Sequence, residues 1–197
     1  MTSTGGAFDV VAVAASAGGM KALQAVLGDL DADFPAAIVV VQHLDPRHRS
    51  LLAEILSRHC KLAVEEAREG DKLERGRVYI APPNRHLLVN SDGTVTLSES
   101  ELVHFVRPSA DLLLVSVAGS HKERVIAVVL TGTGADGSMG VRAVKKMGGT
   151  VIAQDEATSE FFGMPGAAIA TGDVDFVLPL QDIGAALRTL VGAGGEA

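Results

Sequence analysis

Short apolar runs and helix-period segments alternate along the chain. Residues 8–14 are a β-branched run bounded by glycines. Residues 19–30 put Met20, Leu23, Leu27 and Leu30 on one helical face, the 3.6-residue period of an amphipathic helix. Residues 37–41 predict a second buried strand. Ser50 is placed to cap a helix carrying Leu51, Leu52, Ile55 and Leu56. Residues 63–67 and 78–81 predict short strands. The segments 87–90 and 94–98 flank Ser91-Asp92-Gly93 and predict a β-hairpin. Pro108-Ser109 opens a helix over 110–118. A strong buried strand over 124–130 is followed by a helix over 137–147. A strand over 150–154, a short helix near 165–170, a strand over 175–178 and a final helix over 183–191 complete the pattern.

Strands apolar on both faces, alternating with helices, predict the α/β class: a three-layer α/β/α doubly wound sandwich with a mostly parallel sheet. The hairpin is expected as an antiparallel addition, at an edge. In such sheets ligands bind in the crevice beyond the carboxyl ends of the strands. The loops to inspect are therefore 15–19, 42–46 and 131–137.

Composition narrows the picture. The 197 residues suit one domain, and a chain of this size buries about 70% of its unfolded surface without a staple. Residues 1–7 and 192–197 are small, polar and glycine-bearing, which predicts tails. The net charge of -7, with no basic block, argues against a nucleic-acid partner. The 22 glycines fit many tight strand-to-helix turns, and only 4% aromatics with no tryptophan leave no platform for stacking bases. A single cysteine, Cys60, cannot close an internal disulfide, so a reducing compartment, the cytoplasm, is expected. The apolar run over 10–15 is too short to cross a membrane, so no direct membrane insertion is expected. Histidines and the cysteine do not cluster at ligand spacing, so no metal is expected.

The three loops carry the candidate chemistry. In Ala14-Ala15-Ser16-Ala17-Gly18-Gly19, small residues permit a sharp turn from strand to helix, leaving the Ser16 hydroxyl at the mouth of the sheet. This is the logic of a nucleophile elbow, although a serine there also suits a helix cap. In Gln42-His43-Leu44-Asp45-Pro46, His43 directly follows a buried strand and can serve as general base for a serine on a neighbouring strand end. His48 reads as part of a solvated basic loop, and His59 as a helix-end residue complementing the dipole. In Thr131-Gly132-Thr133-Gly134-Ala135-Asp136-Gly137, Asp136 can orient His43, the third role of a triad. Asp45 competes for that role but is poorly spaced on the same loop. The order Ser16, His43, Asp136 matches neither the α/β-hydrolases nor the familiar serine proteases.

The third loop also supports a rival. Gly132 to Gly137 matches G-x-G-x-x-G between a strand and a helix, and Asp155-Glu156 follows about 20 positions on, as a ribose-binding carboxylate would. On that reading the chain is a nicotinamide-dinucleotide-binding oxidoreductase. Against it, an aspartate inside the loop would repel a pyrophosphate.

Six pieces in order resemble the catalytic domain of the chemotaxis protein-glutamate methylesterases, the CheB family. They are Ala15-Ser16-Ala17-Gly18-Gly19, Val41-Gln42-His43, the run 79–87 (Tyr-Ile-Ala-Pro-Pro-Asn-Arg-His-Leu), Arg107-Pro108-Ser109-Ala110-Asp111, the run 130–137, and the run 153–158 continuing to Phe162-Gly163-Met164-Pro165. The resemblance implies Ser16 as nucleophile, His43 as general base and Asp136 as orienting acid. It implies hydrolysis of glutamate methyl esters on methyl-accepting chemoreceptors through a glutamyl-enzyme, deamidation of particular glutamines by the same steps, and no cofactor. Backbone amides of Ala17 and Thr133 are the oxyanion candidates. Thr133 stands where the family usually has methionine, Ala17 where threonine is frequent, and Ala14 where glycine is usual. The stretch Met164-Pro165-Gly166-Ala167-Ala168 lacks the arginine and glutamate common after Met-Pro. These departures keep a third reading open, a catalytically drifted interaction module. The resemblance occupies residues 8–191, so the expectation is a methylesterase catalytic domain there with no receiver domain: an excised fragment, or a stand-alone esterase without the usual phosphorylation switch.

Overall fold

The computed structural model describes residues 8–44 and 50–192. In chain order its elements are β1 (Val10–Ala15), α1 (Gly19–Gly28), β2 (Ala37–Gln42), α2 (Leu52–Ser57), β3 (Ala63–Glu66), β4 (Arg77–Ile80), β5 (His86–Val89), β6 (Val95–Ser98), α3 (Ala110–His121), β7 (Val125–Val129), α4 (Ser138–Lys146), β8 (Thr150–Gln154), α5 (Gly163–Ile169), β9 (Phe176–Leu178) and α6 (Leu180–Gly192).

Seven strands form one parallel sheet in the order β3-β4-β2-β1-β7-β8-β9. Its central strands are buried at every position, as a sheet covered on both faces requires. The two-residue period sorts β1 cleanly. Val11, Val13 and Ala15 face the layer of α1, α2 and α6, against Leu23, Leu27, Leu56 and Leu187. Val10, Ala12 and Ala14 face the other layer, against Leu113, Val141 and Met164. The doubly wound α/β/α sandwich predicted from the pattern is the observed fold.

Three local expectations change. The hairpin is not an edge of the main sheet. β5 and β6 pair antiparallel as a separate two-stranded sheet, and Leu87, Val89 and Val95 join the core on the α3 side. The edge strands β3 and β9 are half-exposed rather than buried on both faces. Met20 does not share the buried face of α1. It is 41% exposed and lines a cleft at the start of the helix. Ser50 does accept from the Leu52 amide at 3.2 Å, although the helix begins at Leu52 and leaves Leu51 exposed.

The sheet order reverses at β1. From there the chain steps outward through β2 to one side, and later through β7 and β8 to the other. That switch point opens a crevice at the carboxyl ends of β1, β2 and β7. On the same side of the sheet α3 and α4 approach closely. A Cβ on Gly140 would stand 2.4 Å from the Leu114 Cβ, so only glycine permits the approach. The close packing brings the N-termini of both helices together behind the crevice.

Candidate active site

Ser16 directly follows β1, and its amide donates to the Thr131 carbonyl at 3.0 Å. His43 directly follows β2, and its amide donates to the Ala15 carbonyl at 3.1 Å. Both residues are thus fixed by the last rungs of the sheet. The Gln42 side chain ties the two loops together: Nε2 donates to the Ser16 carbonyl at 2.8 Å and to the His43 carbonyl at 3.0 Å. Gly132 packs behind the serine. A Cβ there would stand 2.8 Å from the Ser16 Cβ and 2.5 Å from the Met164 Sδ, so any larger residue must displace one of the two.

His43 Nε2–H donates to Asp136 Oδ2 at 2.8 Å, across 93 residues of chain. Ser16 and His43 line one open cleft of about 420 Å³. Among the described residues neither the Ser16 hydroxyl nor His43 Nδ1 has a hydrogen-bond partner, so the serine and histidine share the cleft without a bond between them. Such contacts often tighten only when substrate is bound. With Nε2 held by Asp136, Nδ1 is the nitrogen left for the serine. Asp45, the competing orienting residue, and His48 lie outside the described residues.

Asp136 is 4% exposed and is held by the N-terminus of α3. Its Oδ1 accepts from the Ser109 hydroxyl at 2.9 Å and the Asp111 amide at 3.0 Å, and its Oδ2 from the Ala110 amide at 2.6 Å. Burial works against its charge, but the hydrogen bonds from His43 and from the Asp111 and Ala110 amides outweigh that. Its carboxyl is therefore held below the usual carboxylate range. The arrangement is reciprocal. Asp111 Oδ1 accepts from the Gly137 and Gly140 amides at 3.0 and 2.7 Å, at the start of α4, and its Oδ2 accepts from His104 Nε2 at 3.0 Å. Each aspartate thus stabilises the N-terminus of the other's helix, where partial positive charge favours an anion.

The Ala17 and Thr133 amides donate to no acceptor among the described residues, as an oxyanion site requires. The same is true of their neighbours Gly18 and Gly134, so the bonding pattern alone does not single out the pair.

The dinucleotide reading is overturned at the loop that suggested it. The Asp136 carboxylate is fully engaged, as described. Gly163 at the start of α5 is packed on the loop, so closely that a Cβ there would stand 2.9 Å from the Gly134 nitrogen and 3.0 Å from the Gly132 oxygen. The backbone that a pyrophosphate would approach is thus partly covered by Gly163. Asp155, the expected ribose partner, instead accepts from the Thr158 amide at 2.9 Å and hydroxyl at 2.6 Å.

Several functional residues were not anticipated. Gln42 and Asp111 lay inside recognised motifs, but nothing in their spacing marks a second layer of support. His86 is buried: its Nδ1 accepts from the Ser109 amide at 3.1 Å and its Nε2 donates to the Glu101 carbonyl at 3.0 Å. It thereby steadies the turn that holds Asp136. His59, as expected, serves its helix end, with Nδ1 donating to the Ile55 carbonyl at 2.7 Å.

Comparison with known proteins gives consistent results. The family model described as CheB methylesterase matches residues 11–187. A protein-glutamate methylesterase/protein-glutamine glutaminase 2 of Anaeromyxobacter dehalogenans is 48% identical over 92% of this chain and 53% of its own length. A protein-glutamate methylesterase/protein-glutamine glutaminase of Pyrococcus horikoshii is 43% identical over 88% of this chain and 48% of its own. The chain therefore spans about half the length of these curated relatives, whereas a Leptospira interrogans relative, 38% identical, is covered over 91% of its length. The crystal structure of the Thermotoga maritima CheB methylesterase catalytic domain superposes with a TM-score of 0.90 at 41% identity, covering 93% of this chain and 99% of that one.

Proposed function

The chain belongs to the CheB methylesterase family, and from that premise we propose that residues 8–191 are a serine esterase domain. It hydrolyses glutamate methyl esters on the cytoplasmic part of a methyl-accepting chemoreceptor. Ser16 is the nucleophile, His43 the general base and Asp136 the orienting acid. The observation that carries this reading is the His43–Asp136 hydrogen bond, 2.8 Å, beside Ser16 in one cleft. Among the described residues no helix is long and apolar enough to cross a membrane, and the proposed site of action is the cytoplasm.

The mechanism follows from the contacts. Asp136 fixes the His43 ring with Nδ1 toward the cleft and stabilises its protonated form. His43 Nδ1 takes the Ser16 proton as Oγ attacks the ester carbonyl. The amides of Ala17 and Thr133 are proposed to receive the oxyanion. The tetrahedral species collapses, the C–O bond to the methoxy group breaks, and His43 returns the proton to release methanol. Water then loses a proton to His43 and attacks the glutamyl-Ser16 ester. The serine regains its proton and the glutamate carboxylate leaves. With glutamine the leaving group is ammonia, in keeping with the second activity in the relatives' names.

A peptide bearing a glutamyl γ-methyl ester tests this reading. Methanol and free glutamate are expected in equal amounts, without added cofactor. Release no faster than in buffer would contradict it and favour a drifted, non-catalytic module.

A further inference from the structure

The most exposed large apolar side chain among the described residues stands beside the catalytic histidine. Phe105 is 94% exposed, against 60% for the next, Met139. With Leu44, Val106 and the exposed Leu102 it lines a second hollow of about 330 Å³. His43 and Leu44 line both this hollow and the Ser16 cleft, so the two cavities meet at the proposed general base. A lone surface phenylalanine would need no explanation, but apolar residues gathered in one hollow mark a contact surface. The polar side chains there, Asn84 and Arg107, are bonded to each other at 3.0 and 2.7 Å. What the hollow offers a ligand is therefore chiefly apolar.

The backbone holds Phe105 there against its own preference. Val103 and Val106 exchange amide-to-carbonyl bonds at 3.2 and 3.0 Å, so His104 and Phe105 are the central residues of a two-residue turn. Both have positive φ, 50° and 64°, a conformation that suits glycine or asparagine and disfavours a bulky aromatic. At 94% exposure, packing of the ring does not offset that strain. The turn is fixed on both flanks. His104 Nε2 donates to Asp111 Oδ2 at 3.0 Å, and Arg107 Nη1 donates to the Glu99 and Ser100 carbonyls at 2.8 Å each. Strain that the surroundings enforce marks a functional position, and a ring held in place beforehand loses little freedom on binding.

We infer that Phe105 is a specificity-determining residue: with Leu102 and Leu44 it forms an apolar subsite that receives an apolar side chain of the substrate polypeptide near the ester. This rests on the esterase reading above and adds the class of substrate, a glutamyl ester with an apolar neighbour on the same face. Continuity with the Ser16 cleft through His43 and Leu44 makes the substrate the occupant. Covering on the order of 50 Å² of the ring corresponds to a preference of about 10-fold. It is expected in KM more than kcat, because the contact is the same before and during the reaction.

Two helical peptides supply the test. One carries leucine, the other glutamine, about four positions to either side of the glutamyl methyl ester, which keeps these residues on the ester's face. Wild-type protein is expected to favour the leucine peptide about 10-fold in kcat/KM. Phe105→Asn removes the ring and suits the positive φ, so its thermal midpoint should be no lower than that of wild type while the ratio falls toward one. Phe105→Tyr should keep the ratio. Equal turnover of both peptides by wild type, or a ratio unaltered in Phe105→Asn, would overturn the inference while leaving the esterase reading intact. So would a wild-type dimer that Phe105→Asn dissociates without altering the ratio, which would assign the patch to a second copy of the chain. Hydrolysis of neither peptide would overturn both.

Discussion

Replacing Ser16 with alanine is expected to lower the rate of methanol release from a glutamyl methyl ester by about 10⁴- to 10⁶-fold. The hydroxyl supplies the attacking oxygen, and no described group stands beside it to take over. The Ser16 Oγ has no structural hydrogen bond among the described residues, whereas its amide and carbonyl are held by Thr131 and Gln42. Alanine keeps both backbone bonds. The thermal midpoint should therefore stay within about 2 °C of wild type, as for a substitution that removes no packing or buried partner. Binding of the ester peptide should also persist. Retained turnover, or a loss explained by unfolding, would remove Ser16 from the mechanism.

Asp136→Asn should combine a catalytic and a structural loss. With its nitrogen toward His43, the Asn side chain donates where Asp136 accepts, so Nε2 must give up its proton and Nδ1 carries one instead of facing the serine as a base. A loss of about 10³- to 10⁴-fold in kcat is expected, as for a triad whose histidine is left in the wrong tautomer. The carboxylate also accepts from two α3 amides and the Ser109 hydroxyl. An Asn amide group in either orientation turns its own donors toward some of these donors. Losing hydrogen bonds to a charged group costs about 2 kcal/mol, or roughly 4–8 °C in thermal midpoint for a domain of this size. The pH dependence gives this a signature. The folded-state pKa of Asp136 is lowered, so its contribution is complete above the unfolded value of about 3.9 and is lost as pH falls through the folded value. The stability gap between wild type and variant should therefore be full at neutral pH and close in strong acid. A variant as active and as stable as wild type at neutral pH would contradict the role given to Asp136.

Much of this was legible in the chain because it rests on local pattern. The apolar runs of β1, β2 and β7 are uninterrupted, and a strand buried on both faces has no other appearance. Ser16, His43 and Asp136 were found by asking which reactive groups follow such strands. The layers, and hence the crevice, followed from strand–helix alternation. What escaped depends on where separate segments meet. Met20 fits the apolar face of α1 by period, but at the start of that helix it lines the open cleft. The hairpin has a clear turn signal, but whether it extends the large sheet or packs on α3 is a matter of tertiary contact. Asp111 looks like an ordinary first-turn acid until α3 and α4 are seen to pack at Gly140. The glycine loop at 132–137 carried a dinucleotide pattern; Asp136 argued against it in the sequence, and the contacts of Asp136 with α3 and the packing of Gly163 are visible only in the fold.

The central claim is that the Ser16 oxygen takes the glutamyl group from a methyl ester. Acid-quenching the protein during turnover of a glutamyl methyl ester peptide, followed by mass spectrometric mapping, tests it most directly. The account predicts a peptide adduct that has lost methanol, attached through an ester at Ser16 and absent from the Ser16→Ala variant. An adduct on another residue, or an unmodified Ser16 in a protein that is releasing methanol under conditions where deacylation is slowed, would contradict it.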